Sequence, residues 1–129
     1  HDALPISIIT VLPSTLTMQQ GWVSAYGLNE NFASIRAIDC PVEQLSDTAL
    51  VVHKVCEVGL QAIESDGAQT LLLGCTGFVG VAAAVSVQLS QLLGCYVPVI
   101  DPNQAGFTFL SSLARMRLRA SGLCYQRNA

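Results

Sequence analysis

In Thr70-Leu71-Leu72-Leu73-Gly74-Cys75-Thr76-Gly77-Phe78, a short apolar run stops at a glycine and a cysteine follows at once. A threonine–glycine pair then leads into a longer apolar segment. A run this short and this apolar predicts a strand buried in a sheet, and the small residues after it predict a tight exit into a helix. Strand, exit and helix in that order form one βα unit.

The flanking sequence repeats the arrangement. Upstream, residues 47–65 carry Val52, Val55, Cys56, Gly59, Leu60 and Ile63 on one stripe, the spacing of a helix packed by one face. Ser46 is its expected N-cap, Asp47 suits the positive end of the dipole, and Gly67 suits the stop. Ala33 to Ile38 alternates as a strand does, and Ile6 to Leu12 is an apolar run ended by Pro13. Between them residues 14–26 predict a helix, weakened by Gln19, Gln20 and Gly21. Downstream, helices are expected over residues 78–93 and 104–119, with a strand from Tyr96 to Ile100 between them. The pattern βαβαβαβα implies the α/β class: a four-stranded parallel sheet flanked by helices and joined by right-handed crossovers. The unit recurs about every thirty residues without a sequence-level repeat, and no low-complexity linker divides the chain.

Composition narrows the function classes. A chain of 129 residues fits one domain, and 51% hydrophobic against 12% charged residues excludes disorder. The net charge is −3, and four of the six basic residues (Arg115, Arg117, Arg119, Arg127) lie near the C-terminus, as a solvated helix and tail would place them. That is not the broad basic face of a nucleic-acid binder, so nucleic acid is not an expected partner. The five cysteines are odd in number, include no CxxC, and have no histidine at metal-ligand spacing. A disulfide framework and a zinc site are both disfavoured, and a cytoplasmic setting is expected. No basic and apolar leader is visible. The one candidate membrane span, Phe78 to Ile100, is broken by Ser86, Gln88, Ser90, Gln91, Gly94 and Pro98, so no membrane association is expected. The chain opens on His1-Asp2 with its first strand almost at once, which suggests a piece of a longer protein, with processing as the alternative explanation.

In an open parallel sheet, ligands bind beyond the carboxyl ends of the strands. Thr10, Asp39, Cys75 and Asp101 stand at those four exits and are expected along one edge. Cys75 is the chemically distinctive one. Thr76 is placed to cap the following helix, and Gly77 permits close backbone approach. Free amides and the helix dipole there favour negative charge, so the thiol is expected to titrate below its usual value of about 8.5. The competing reading is a small buried hydrophobe. Cys56 falls on the buried helix stripe, Cys95 precedes a strand, Cys124 sits in the tail, and Cys40 reads as part of a turn before Pro41. His53 lies four residues from Glu57, as a solvated partner would. Asp39 and Asp101 read as caps or turn formers, with ligand contact left open for Asp101.

The segments ISIITVLPST, ASIRAIDCPV, DGAQTLLLGCTGF and VPVIDP together resemble the second lobe of the hydantoin and allantoin racemases, within the aspartate/glutamate racemase superfamily. The resemblance runs over nearly the whole chain in order and spacing, and LGCTG is its most specific part. It implies one lobe of a two-lobed, pseudo-symmetric enzyme in which each lobe supplies one cysteine. One thiolate removes the substrate's Cα proton while the opposite thiol delivers one to the other face, with no metal and no organic cofactor. The resemblance makes Cys75 the second catalytic cysteine and Thr76 and Gly77 the adjoining substrate-contacting turn. Backbone amides around Thr76 and Gly77 are then expected to stabilise the enolate oxygen.

Thr10, with Ser14, matches the loop that lines the cleft, while Val11 stands where relatives often carry a second threonine. None of the other four cysteines sits in a matching motif. The partner thiol is therefore expected on a missing N-terminal lobe, and this chain alone is expected to be inactive. The implied partners are a small-molecule substrate, that lobe and, from the apolar bias, further copies in a homo-oligomer. Decarboxylase and maleate-isomerase branches of the superfamily are alternatives, as is a non-catalytic small-molecule-binding or regulatory module of the same fold. Slow alkylation of Cys75 would favour the last.

Overall fold

A computed structural model describes residues 4–122. In chain order it contains β1 (Ile6–Thr10), α1 (Leu16–Ala25), β2 (Phe32–Ala37), α2 (Thr48–Asp66), β3 (Thr70–Leu73), α3 (Val81–Leu93), β4 (Val99–Ile100) and α4 (Pro102–Arg115). Three short 3-10 turns, Pro13–Thr15, Asn29–Asn31 and Val42–Gln44, join them. The sheet has four strands in the order β2-β1-β3-β4, all parallel, with Ile6 opposite Thr70, Ile9 opposite Leu73 and Leu71 opposite Val99. The step from β1 to β2 runs one way across the sheet, and the steps to β3 and β4 run the other. Right-handed crossovers therefore put α1 on one face and α2 with α3 on the opposite face.

The core lies between the sheet and the α2–α3 layer. Ile9, Leu71 and Leu73 of the sheet meet Val51, Val55 and Ala62 of α2 and Val81, Val85 and Leu89 of α3, all within 2% of full burial. These positions recur at helical spacing on the two helices and at spacing two on β3, which is why the periodic reading works here. Gly59 lets α2 approach the sheet: a Cβ there would stand 2.7 Å from Leu71 Cδ1.

Several boundaries differ from the sequence expectation, each for a local reason. The N-cap of α2 is Asp47, whose carboxylate accepts from the Leu50 amide at 3.1 Å. Ser46 instead directs its hydroxyl to the Glu43 carbonyl. Gly67 ends the helix at φ 76°, as expected. The last strand is two residues rather than five, because Val97 bonds to α3: its amide donates to Ser90 Oγ at 2.9 Å and its carbonyl accepts from Ser86 Oγ at 2.6 Å.

Helix α3 begins at Val81, not at Phe78. Residues 75–80 are taken up by turns closed by Phe78 N to Cys75 O and Val79 N to Gly77 O, and the N-cap is Gly80 at φ 72°. Thr76 therefore caps no helix. α4 starts two residues early, on Asp101 and Pro102, and stops at Arg115, before Arg117 turns the chain at φ 54°. It buries no residue, and Phe107, Phe109 and Leu110 stand exposed along it. Cys124 and Arg127 lie outside the described residues.

Candidate active-site rim around Cys75

Because all four strands run in parallel, their carboxyl ends at Thr10, Ala37, Leu73 and Ile100 define one rim of the sheet. Backbone bonds continue past the strands and tie the exits together. Ile38 N donates to Thr10 O at 2.9 Å, Cys40 N to Val11 O at 3.3 Å, and Gly74 N to Ile9 O at 2.8 Å. The loop carrying Cys75 thus leaves the sheet from a fixed point.

Cys75 is half-buried, its inner side packed against the core and its outer side open to the rim. The amide of Gly77 donates to its sulfur at 3.4 Å. That contact comes from the local turn, not from a helix terminus, since α3 begins six residues beyond Cys75. The Gly77 amide expected to face an enolate oxygen is turned to the thiol instead. A Cβ at Gly77 would lie 3.4 Å from the Cys75 sulfur and 3.4 Å from Leu45 Cδ1, ordinary contact distances. Thr76 and Gly77 are themselves exposed on the rim.

Thr10 and Ser14 lie differently from one another. Ser14 is exposed, in the 3-10 turn after β1. Thr10 is 2% exposed, and its hydroxyl is engaged by Gln19 Nε2 at 2.9 Å and Thr15 Oγ1 at 3.1 Å. Within this chain its side chain therefore faces inward, toward α1. Gln19 is buried as well, and its Nε2 also donates to the Gly74 carbonyl at 3.3 Å, linking the exits of β1 and β3. On the other side of the turn, Asn103 Nδ2 donates to the Thr76 carbonyl at 3.0 Å. Asn103 is held in place by Asp101, whose carboxylate accepts from the amides of Asn103 and Gln104 at 2.8 and 3.2 Å.

Gln19 and Asn103 were not legible as site residues. Gln19 looked only like a poor helix former, and Asn103 gave no pattern at all. The one signal for either was position, since each lies within a turn or two of a strand exit.

The remaining candidates make local contacts. Asp39 sits at φ 47°, a turn former as expected, with its carbonyl toward Lys54 Nζ. Asp101 is the α4 cap. Cys40 is fully buried in the core and Cys95 is exposed. Cys56 is only half-buried against the core, with its thiol toward Gln88 Oε1, and burial pushes that thiol above its ordinary range. His53 and Glu57 form an exposed i,i+4 pair at 3.8 Å. Among the described residues no three His, Cys, Asp or Glu side chains converge to hold a metal ion, and no helix is long and apolar enough to cross a membrane.

Comparison with known proteins places this rim in context. Residues 2–110 match the family described as Asp/Glu/Hydantoin racemase. The chain is 30% identical over 122 residues to the hydantoin racemase of Pseudomonas sp. (strain NS671), covering 94% of this chain and 47% of that protein. It is 32% identical over 120 residues to the hydantoin racemase of Paenarthrobacter aurescens, covering 92% and 48%. Among solved structures, allantoin racemase from Klebsiella pneumoniae superposes with a TM-score of 0.75 at 34% identity, over 92% of this chain and 46% of that one. Allantoin racemase from Pseudomonas fluorescens gives 0.76 at 30%, over 94% and 48%. The chain thus spans about half the length of the relatives it matches. Sequence, fold and the parallel-sheet rim agree, and the chain belongs to the Asp/Glu/hydantoin racemase family.

Proposed function

We propose that this chain supplies one lobe of a cofactor-independent racemase acting on hydantoin- or allantoin-type amino-acid derivatives, with Cys75 as one of its two acid/base thiols. The observation that carries the reading is the placement of Cys75: half-open at the carboxyl rim of a parallel sheet, with a backbone amide directed at its sulfur.

In the proposed reaction the Cys75 thiolate removes the proton from the substrate's Cα. An S–H bond forms as the C–H bond breaks, and the electron pair delocalises into the adjacent carbonyl. A thiol on the facing lobe then gives its proton to the opposite face of the same carbon and is left as thiolate. Catalysis in the reverse direction exchanges the two roles. A general base contributes most when its pKa lies near the working pH and its reach is direct. Ser14 and Thr76, both exposed on the rim, are the side chains available to hold the substrate's polar groups, and Gly77 completes the adjoining turn. Thr10 serves the same loop from below through Gln19. The exposed apolar residues of α4 suit a surface covered by the rest of a longer protein.

The test is Cα–deuterium exchange and racemisation in D₂O with 5-substituted hydantoins, allantoin, aspartate and glutamate. A protein carrying both halves is expected to racemise one of the first two, and Cys75→Ser to abolish it. The 129-residue chain alone is expected to be silent. Robust two-way racemisation by this chain alone, or by the Cys75→Ser protein, would overturn the proposal.

A further inference from the structure

Two side chains from two different helices hold the backbone on either side of Cys75. Gln19 of α1 donates to the carbonyl of Gly74, and Asn103 of α4 donates to the carbonyl of Thr76. Each carbonyl belongs to a rigid peptide plane. The plane holding Gly74 O also holds the Cys75 amide, and the plane holding Thr76 O also holds the Gly77 amide, which is the donor to the Cys75 sulfur. Fixing these two carbonyls restrains the plane that enters Cys75 and the plane that carries the amide donor to its sulfur.

Neither residue is explained by packing. Gln19 is 6% exposed, and its nitrogen must face Gly74 O because a carbonyl can only accept. Its own Oε1 is then left buried without a hydrogen-bond partner among the described residues. An apolar side chain of similar volume would avoid that penalty but would release Gly74. Asn103 is exposed and contributes little to the core, yet Asp101 presets its backbone so that the amide reaches Thr76.

We propose that Gln19 and Asn103 are positioning residues of the racemase, a two-sided clamp that holds the Gly74–Gly77 turn so that the Cys75 sulfur meets the substrate's Cα at the correct angle. The inference rests on the acid/base role assigned to Cys75 above. It deepens that role by naming what orients the thiol, and neither side chain touches substrate.

The experiment uses the protein carrying both halves and compares Asn103→Asp, which keeps shape but replaces the donor by an acceptor, with Gln19→Met, which keeps volume but removes both donated bonds. Steady-state racemisation is measured in both directions with Cα–H and Cα–D substrate. A misaimed base slows proton transfer without weakening ground-state binding, so kcat should fall about 10- to 100-fold with KM little changed. The substrate deuterium effect should rise in the one direction in which Cys75 is the base. A residue with only a structural role would lower the melting temperature or soluble yield and leave the directional isotope effect alone. Unchanged kcat and isotope effects in Asn103→Asp would sink the clamp even if Gln19→Met fails to fold, because Asn103 is exposed. Full activity in a parallel Cys75→Ser protein would sink the parent reading and the clamp together. An inactive Cys75→Ser beside a fully active Asn103→Asp would sink the clamp alone.

Discussion

Gly74→Ala measures how tightly the fold grips the turn before Cys75. A methyl group built on Gly74 lies 2.7 Å from Ile8 Cγ2, 3.0 Å from Gln19 Oε1 and 3.4 Å from Gln19 Nε2. Carbon atoms rest at about 3.5–4.0 Å, so roughly 1 Å must be recovered against Ile8. Ile8 cannot give easily. It sits on β1, paired to β2 on one side and to Leu72 of β3 on the other, and its Cγ2 is attached at the branched Cβ, where χ1 is stiff. Gln19 can withdraw, but only by releasing Thr10 and Gly74. Overpacking of this kind costs about 1–3 kcal/mol, and a lost hydrogen bond adds about 1 kcal/mol. Reduced freedom of the unfolded chain returns about 0.4–1 kcal/mol.

The expected net loss is therefore about 2 kcal/mol, read as a lower urea midpoint at constant slope. Gly77→Ala is the control. Its new methyl meets only Cys75 and Leu45 at 3.4 Å on an exposed loop, so its effect should stay within about 0.5 kcal/mol. Adding Gln19→Ala to Gly74→Ala should give less than the sum of the two losses, because the smaller side chain vacates the space the methyl needs. A Gly74→Ala protein as stable as Gly77→Ala would refute the reasoning.

Gly59→Ala and Gly21→Ala should move stability in opposite directions. Both gain up to about 1 kcal/mol of helix propensity, but a methyl at Gly59 would stand 2.7 Å from fully buried Leu71, whereas nothing lies within 4 Å of Gly21. Thermal melts should show Gly59→Ala below and Gly21→Ala above the parent, and a stabilised Gly59→Ala would contradict the packing described. At acid pH the Arg36–Asp66 pair should set part of the unfolding limb. Hydrogen bonds from Arg36, at 2.6 and 2.8 Å, and from Ser34 hold the Asp66 carboxyl below its ordinary value against the opposing effect of burial. A depressed carboxyl stabilises the fold above its unfolded value and loses that contribution as pH falls, here below about 4. Asp66→Asn should be less stable at pH 7 and show a shallower loss between pH 5 and 3 in pH-dependent urea titrations. Parallel curves for the two proteins would remove Asp66 from the account.

The fold was legible because its largest signals are periodic and local. The stripe of α2, the apolar run of β3 and the alternation of β2 each carry their own period, and the alternation of element types then dictates a parallel sheet. Boundaries were less legible where tertiary bonds compete with local ones. Val97 was expected in a strand, but Ser86 and Ser90 of α3 take both its backbone groups, and no propensity encodes that choice. Ser46 and Asp47 are both good caps, and only the geometry of the preceding turn decides between them. Thr76 lost its expected role for a similar reason: closing two tight turns after Cys75 consumes the residues that would have begun the helix.

The rim followed from topology, since parallel strands must bring Thr10, Asp39, Cys75 and Asp101 to one edge in any chain of this pattern. What the rim does with each residue did not follow. Thr10 and Ser14 stand near one another in sequence, yet one is buried under Gln19 and the other faces solvent. Orientation about a single backbone turn separates a hydroxyl bound inside the fold from one open to solvent. The same holds for Gly77, whose amide donates to the Cys75 sulfur. The amide at Gly77 meets the Cys75 sulfur, and its aim depends on the carbonyl of the same peptide plane, Thr76 O, which Asn103 holds from 27 residues away.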